Sequence, residues 1–272
     1  MSVGLLHPGE MGAAVGAVLR ARGEGVLWVS AGRSPATVER ARQARLRDVV
    51  SVEELARCCD VILSLCPPHA AVEVARPLAC FEGIFVDANA IAPATAQTIA
   101  RLVRRYVDGG IIGPPPNEAG TTRLYLSGAE AETVAALFAH TIVDARVVSE
   151  DATAASAVKM AYAAWTKGSS ALLLAVRALA RIEGIEQTLL DEWRTSLPHL
   201  QDQSVAASRS AVSKGWRWIG EMNEIAETFA AGGLPDGFHR AAAEVYRRSS
   251  QGRPDSDDVA VDVLSAQIEP IT

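Results

Sequence analysis

The run Val3-Gly4-Leu5-Leu6-His7-Pro8-Gly9-Glu10-Met11-Gly12 constrains the fold of this chain more than any other segment. Residues 3–6 read as a buried strand and the next few as a tight turn. Residues 13–21, rich in small side chains, read as a helix able to pack closely on a sheet. Such a strand–turn–helix presents backbone N–H groups and the positive end of a helix dipole to an anion. The usual phosphate-binding pattern is G-x-G-x-x-G or -A. His7 stands where its first glycine belongs, while Gly9 and Gly12 keep the positions for pyrophosphate approach and helix–strand packing. His7, Pro8, Gly9, Met11 and Gly12 are therefore expected to line a dinucleotide; the alternative is an ordinary strand–turn–helix with no ligand.

The rest of the N-terminal half repeats the alternation. Strand-like runs fall at residues 26–30, 61–66, 84–89, 107–112 and 124–127, with helical stretches at 35–44, 52–58, 70–78 and 93–104. Short, continuously apolar strands separated by helices indicate a mainly parallel sheet covered on both faces. Pro35 and Pro93 suit the first turns of their helices. From about residue 150 the strand signal vanishes. One helical pattern runs over 152–182, interrupted only at Gly168, followed by 188–196, 201–231 and 236–249. A polar stretch with Asp255, Asp257 and Asp258 leads to a last short helix over 259–268. The expected class is α/β: a doubly wound Rossmann sheet over residues 1–149, then an all-α domain over 150–272 that opens with a long interdomain helix.

Composition narrows the partners. A net charge of −6 and a pI of about 5.5 disfavour nucleic acid. Cys58, Cys59, Cys66 and Cys80 form no C-x-x-C pair, so neither a zinc site nor a disulfide framework is expected, and free thiols in a reducing compartment are. The N-terminus enters a strand almost at once and has no basic leader region. The longest apolar stretch carries Lys159, Lys167, Arg177 and Arg181, unlike a membrane span. A cytoplasmic, membrane-free protein is the expectation.

The end of the second strand bears on which dinucleotide is held. An NAD-preferring site places an acid there for the ribose 2′-hydroxyl. Ser30-Ala31-Gly32-Arg33-Ser34 offers none; Arg33 can clamp a 2′-phosphate and Ser34 can donate one more bond. NADP is thus expected over NAD, unless Arg33 is a solvated loop cation. Cys66 and Pro67 close one strand and Asn89 another, both at the carboxyl edge where ligands lie in such sheets. Asn89 is either a cofactor contact or a turn-former before Pro93.

Lys159 follows the start of the long helix, amid Ala154, Ala155, Ala157, Val158 and Ala161. A lysine desolvated by such neighbours is a candidate proton donor and acceptor; otherwise it snorkels to the surface. Tyr162 stands one turn later, where it can orient substrate or assist as an acid. Trp216, Trp218, Glu221 and Glu224 share one helical segment. They read either as a cleft mouth suited to a cationic or amine-bearing substrate or as packed tryptophans with solvated glutamates.

Together these pieces resemble the β-hydroxyacid dehydrogenase superfamily, which includes 3-hydroxyisobutyrate and 6-phosphogluconate dehydrogenases and, more distantly, imine reductases. The N-terminal run is similar to I-G-F-I-G-L-G-x-M-G. Val86-Asp87-Ala88-Asn89-Ala90-Ile91-Ala92-Pro93 is similar to D-x-S-T-x-x-P, and Asp108-Gly109-Gly110-Ile111-Ile112-Gly113 to the substrate loop D-A-P-V-S-G. Lys159-Met160-Ala161-Tyr162 stands at the catalytic K-x-x-N. Lys214-Gly215-Trp216-Arg217-Trp218 and Glu221-Met222-Asn223-Glu224-Ile225-Ala226 look typical of a 6-phosphogluconate-dehydrogenase-like branch. The resemblance implies an NADP-dependent oxidoreductase with Lys159 as general acid and base, substrate near Ile112, Gly113, Trp216 and Glu221, and a homodimer. Ile112 replaces the family's serine and Tyr162 its asparagine, which turns the expectation away from the usual 3-hydroxy acids. Reduction of a C=N bond, or cofactor binding without turnover, are the alternatives.

Overall fold

The computed structural model describes residues 1–249 and 258–266. The chain divides into two compact units, Met1–Met160 and Ala161–Thr272.

The first unit is built on one eight-stranded sheet. Its strands are β1 (Ser2–Leu6), β2 (Gly25–Val29), β3 (Arg47–Val49), β4 (Val61–Ser64), β5 (Ile84–Asp87), β6 (Tyr106–Ile112), β7 (Thr122–Ser127) and β8 (Val143–Ser149), in the order β3-β2-β1-β4-β5-β6-β7-β8. From β3 to β6 all neighbours are parallel; β7 runs antiparallel to β6, and β8 parallel to β7. Alternation along each strand divides the core in two. Val3, Leu5, Val26, Trp28, Val61, Leu63, Val86 and Val107 enter one cluster. Leu6, Leu27, Val29, Ile62 and Phe85 enter the other. Both faces are covered, which is why these strands read as unbroken apolar runs.

The covering helices are α1 (Glu10–Arg22), α2 (Pro35–Gln43), α3 (Val52–Cys58), α4 (Ala71–Ala75), α5 (Pro93–Ala100) and α6 (Ala131–Ala135). Ser34 and Ser51 cap α2 and α3, each accepting a backbone N–H one turn on. The helix expected over 70–78 is shorter than its pattern. α4 stops at Ala75 because Pro77 cannot donate a helical bond, and a 3₁₀ turn completes the segment. Strands β3 and β8 are absent from the sequence-based expectation. β3 is three residues long with two charged ones, and β8 is an edge strand bearing Asp144 and Arg146.

The chain order reverses beside β1, whose neighbours are β2 and β4. At such a switch point the loops after the strands diverge and leave a crevice at their carboxyl ends. The His7–Gly12 turn after β1 and Cys66-Pro67 after β4 both lie at that edge.

Helix α7 (Ala154–Ile182) passes from the first unit into the second without interruption at Gly168. There an added Cβ would meet the His239 ring at 3.6 Å, an ordinary contact distance, so the packing does not demand a glycine. The second unit continues with α8 (Glu186–Ser196), α9 (Leu200–Ala231), α10 (Gly237–Ser249) and α11 (Val259–Ala266). The expected end of the last helix at Ile268, and Asp255 and Asp257 before it, lie outside the described residues. Tyr246 is fully buried, donates to the Lys167 carbonyl at 2.6 Å and meets Trp218 edge-on at 5.0 Å. α11 is held by charge. Arg177, only 3% exposed, forks onto Asp258 at 2.5 and 3.0 Å and onto Glu186 at 2.5 Å, while Arg181 reaches Glu186 and Asp262. No helix among the described residues is long and apolar enough to cross a membrane.

Candidate functional site

The turn after β1 is sharper than its sequence suggested. Gly9 N–H donates to the His7 carbonyl at 2.7 Å, and His7 adopts φ 64. That left-handed conformation costs a side chain on the order of 1–3 kcal/mol, the reason a glycine is usual here. Gly12 cannot carry a side chain, because a Cβ would lie 2.7 Å from the His7 carbonyl oxygen. At Gly9, by contrast, a Cβ would meet nothing within 4 Å. Open space above the first turn of α1, at a residue that supplies no side-chain cap, is what an approaching pyrophosphate requires. Pro8 is buried inside the turn, and Met11 packs against the first core cluster.

Two buried polar atoms point to the same ligand. Neither His7 Nδ1 nor Arg33 Nε has a hydrogen-bond partner among the described residues. Burial, and then the charge of nearby Arg33, press the His7 imidazole down to about 4, so it is neutral at physiological pH. Burial also lowers Arg33, although the guanidinium stays charged. Buried donors left unmade are costly, and a phosphate would satisfy both. The residues therefore fit the phosphates of a dinucleotide. Ser34 is the N-cap of α2, so its hydroxyl already serves Thr37. β3 also brings an acid that the sequence did not reveal: Asp48 Oδ1 accepts the Ser30 N–H at 3.0 Å, at the end of β2.

Asn89 has a structural task. Its Oδ1 accepts the Cys66 N–H at 2.5 Å and its amide donates to Ser64 Oγ at 3.2 Å, tying the ends of β4 and β5 together. Burial pushes the Cys66 thiol up to about 12, so it is no nucleophile. Pro67 opens the 3₁₀ turn that follows.

Lys159 lies over β6. Gly110 has no side chain, and a Cβ there would come within 2.9 Å of both the Ala155 carbonyl and the Lys159 Cβ. The helix thus sits directly on the strand, and the Lys159 ammonium donates to the Ile111 carbonyl at 2.8 Å. An ammonium has three donors, so this bond fixes the group without exhausting it. Ile112 is buried and Gly113 follows it with φ 121. Beneath the start of α7, burial raises the Asp108 carboxyl to about 6 against the hydrogen bonds it accepts from Ser156 and Ser127.

The remaining predicted residues belong to the second unit. Tyr162 is 47% exposed on α7. Glu221 is buried, neither solvated nor open, and pairs with Lys167, whose ammonium also lies 5.5 Å from the Trp218 ring centre. Trp216 is exposed beneath the Arg217 guanidinium. Only three lysines occur in the chain, Lys159, Lys167 and Lys214, against an abundance of arginine. That scarcity was a signal for the first two, both of which hold defined partners. Among the described residues no cluster of histidine, cysteine and carboxylate side chains could hold a metal ion.

Residues 180–249 match a domain of unknown function, DUF1932. An uncharacterised 28.5 kDa protein of Methanothermus fervidus is 26% identical over 194 residues, 70% of this chain and 75% of that one. A conserved hypothetical protein of Sinorhizobium meliloti is 25% identical, covering 98% of this chain and 97% of its own, with a TM-score of 0.73. A conserved protein of unknown function, described as structurally similar to 3-hydroxyacid dehydrogenases, is 27% identical over 92% of this chain and 99% of its own, with a TM-score of 0.68. The fold is shared more distantly with a Mycobacterium tuberculosis 3-hydroxyisobutyrate dehydrogenase solved with L-serine (17% identical, 98% and 99% covered, TM-score 0.71). It is also shared with a Myxococcus stipitatus imine reductase variant in complex with NAD+ (20% identical, 97% and 99% covered, TM-score 0.56).

Proposed function

We propose that the chain is a member of the β-hydroxyacid dehydrogenase superfamily, as its likeness to a protein described as structurally similar to 3-hydroxyacid dehydrogenases supports, and that it is an NADP(H)-dependent oxidoreductase acting on a small hydroxy or carbonyl compound. The observation that carries this reading is the Lys159 ammonium held at 2.8 Å by the Ile111 carbonyl, in the same unit as a dinucleotide turn with unsatisfied donors. The nicotinamide, when bound, supplies or accepts the hydride. Lys159 hands a proton to the carbonyl oxygen in reduction and takes it from the hydroxyl in oxidation. His7, Gly9 and Arg33 bind and orient the dinucleotide. The test is NADPH consumption across aldehydes, 2- and 3-keto acids and cyclic imines. Turnover of a carbonyl compound supports the reading. Turnover of imines alone replaces it with C=N reduction, which the exchange of the family's asparagine for Tyr162 favours. Tight NADPH binding with no turnover of any member would favour a non-catalytic cofactor-binding protein.

Arg33 sets the preference for NADPH. Loss of a charge-assisted contact in Arg33→Ser is expected to weaken NADPH binding about 10- to 100-fold, with NADH affinity nearly unchanged. Titration of tryptophan fluorescence or calorimetry with both dinucleotides reads this out. Tighter binding of NADH than NADPH by the wild type would transfer the choice to Asp48, whose carboxylate lies at the same turn.

The partner of the second unit is a second copy of the chain. Trp165, Leu172 and Leu179 recur at seven-residue spacing on α7, 76%, 64% and 58% exposed. With Phe238 of α10, Trp165 and Leu172 line an apolar groove of about 430 Å³. A heptad stripe is self-complementary across a two-fold axis. Leu172→Glu is expected to convert a dimer into a monomer in sedimentation equilibrium; an unchanged mass would remove this face from the interface. Free Cys58 and Cys80 at the surface suit a reducing cytoplasm.

A further inference from the structure

The first turn of α7 is capped from the sheet. A helix leaves its first N–H groups without intrahelical partners, and the residue before it ordinarily satisfies the second or third with its side chain. Here Ala154 N–H reaches the Asp151 carbonyl at 3.4 Å, and Ala157 N–H the Thr153 carbonyl at 3.1 Å. Thr153, at the capping position, turns its hydroxyl to Asp151 instead. The two N–H groups between go to buried side chains of neighbouring strands. Ala155 N–H donates to Ser127 Oγ of β7 at 2.9 Å, and Ser156 N–H to Asp108 Oδ2 of β6 at 2.7 Å. Ser156 Oγ adds a bond to Asp108 Oδ1 at 2.6 Å, and Ser127 Oγ one to Asp108 Oδ2 at 3.4 Å. All three side chains are fully buried. One carboxylate therefore receives, directly or through Ser127, the N–H groups that open the helix, where the dipole favours a negative charge.

The same strand and the same helix turn carry Lys159. Asp108 and Gly110 lie two residues apart on β6 and so face the same side of the sheet. Ala155 and Lys159 lie four apart on α7 and share a face. Gly110 leaves room for the Ala155 carbonyl and the Lys159 Cβ, each of which would lie 2.9 Å from a Cβ placed there, and Lys159 closes the set on the Ile111 carbonyl. We infer that Asp108 is the positioning residue of Lys159: by binding the first turn of α7 to β6 and β7, it fixes where along β6 the lysine ammonium stands.

Asp108 does not touch the reacting atoms, so its action is separable from that of Lys159. The importance of this placement rests on the reading of Lys159 as the acid–base group, but the placement itself is measurable without any substrate. The chain has three lysines, and Lys167 and Lys214 lie in the other unit, where they serve as internal controls.

The experiment is trace acetylation of the folded protein with acetic anhydride, with each lysine quantified by peptide mass spectrometry. It compares wild type, Asp108→Asn, Asp108→Ala and Ser156→Ala. Asn keeps the shape and an acceptor but removes the charge; Ser156→Ala removes one bond and is mild enough to fold. Lys159 is expected to label about tenfold faster in Asp108→Ala, with smaller increases in Asp108→Asn and Ser156→Ala, as loss of a charge-assisted bond permits. Lys167 and Lys214 are expected to keep their wild-type rates, and NADPH affinity to hold. Unchanged Lys159 labelling in all three variants would overturn the inference, as would an equal rise at all three lysines, which marks general loosening. Either outcome is independent of whether Lys159 is the acid, which its own substitution decides.

Discussion

Lys159→Ala is expected to lower turnover by about 10²- to 10⁴-fold, the usual contribution of a positioned proton donor, while the dissociation constant for NADPH stays within about threefold of wild type, because the half-buried lysine stands outside the binding turn. The separation follows from the geometry. The lysine is attached to β6 through the Ile111 carbonyl, whereas the dinucleotide turn is built by β1, α1 and the loop after β2. Lys159→Arg is the informative companion. Arginine keeps the charge and the length but cannot release a proton near neutral pH. If Lys159 acts by proton transfer, Arg is as damaging as Ala; if it acts only as a fixed charge, Arg retains most of the rate. Steady-state kinetics with the best substrate from the carbonyl and imine panel, beside NADPH titration, reads both effects. Full turnover in Lys159→Ala would sink the assignment and turn attention to Tyr162.

Arg177→Ala is expected to destabilise the second unit by about 1–3 kcal/mol, the cost of removing charge-assisted bonds from the half-buried Glu186 and Asp258 carboxylates, which keep only Arg181. Arg177 is nearly inaccessible and holds Glu186 of α8, Asp258 at the start of α11 and, at 3.3 Å, Ser204 of α9. Its removal unties α11 and leaves Glu186 with Arg181 alone. Arg177→Lys keeps the charge without the planar fork and is expected to fall between. Four of the five tryptophans, Trp165, Trp193, Trp216 and Trp218, lie in this unit, so urea unfolding followed by fluorescence reports on it directly. The pH dependence has a defined sign. The Arg177 hydrogen bonds hold Asp258 below its ordinary value, and at Glu186 the bonds from Arg181 and Arg177 outweigh the upward push of burial. Depressed carboxylates stabilise the fold above their unfolded values of about 4, and this stabilisation is lost as the pH falls below them. The wild type is therefore expected to lose stability through that acidic window, and Arg177→Ala to lose less. Equal midpoints for wild type and variant at neutral pH would show that the network contributes nothing.

Much of the first unit was legible because its strands are buried on both faces and cannot hide among polar residues. β1, β2, β4, β5 and β6 fall within a residue or two of their apolar runs. β3 escaped because Arg47-Asp48-Val49 has no apolar pattern of its own and exists only by pairing with β2. With β3 unseen, so was Asp48, and the end of β2 looked free of acids. Asn89 was correctly placed at a carboxyl edge, but its bonds to Cys66 and Ser64 depend on β4 and β5 being adjacent, which spacing along the chain does not encode. Glu221 read as a solvated or cleft-lining carboxylate because its partner Lys167 is 54 residues away.

By itself the sequence determined what local physics encodes: alternating apolar strands and helices, a glycine turn that leaves room over a helix N-terminus, an all-helical second half, and a lysine near the start of a long helix. The tertiary structure alone decided which polar groups meet. Asp108 joins Ser127 and Ser156, Arg177 joins Asp258, and Lys167 joins Glu221 across 19 to 81 residues of chain. Burial makes an unpaired polar group costly, so each must find a partner; which partner it finds is set by the packing of strands and helices, and no pattern along the chain records it.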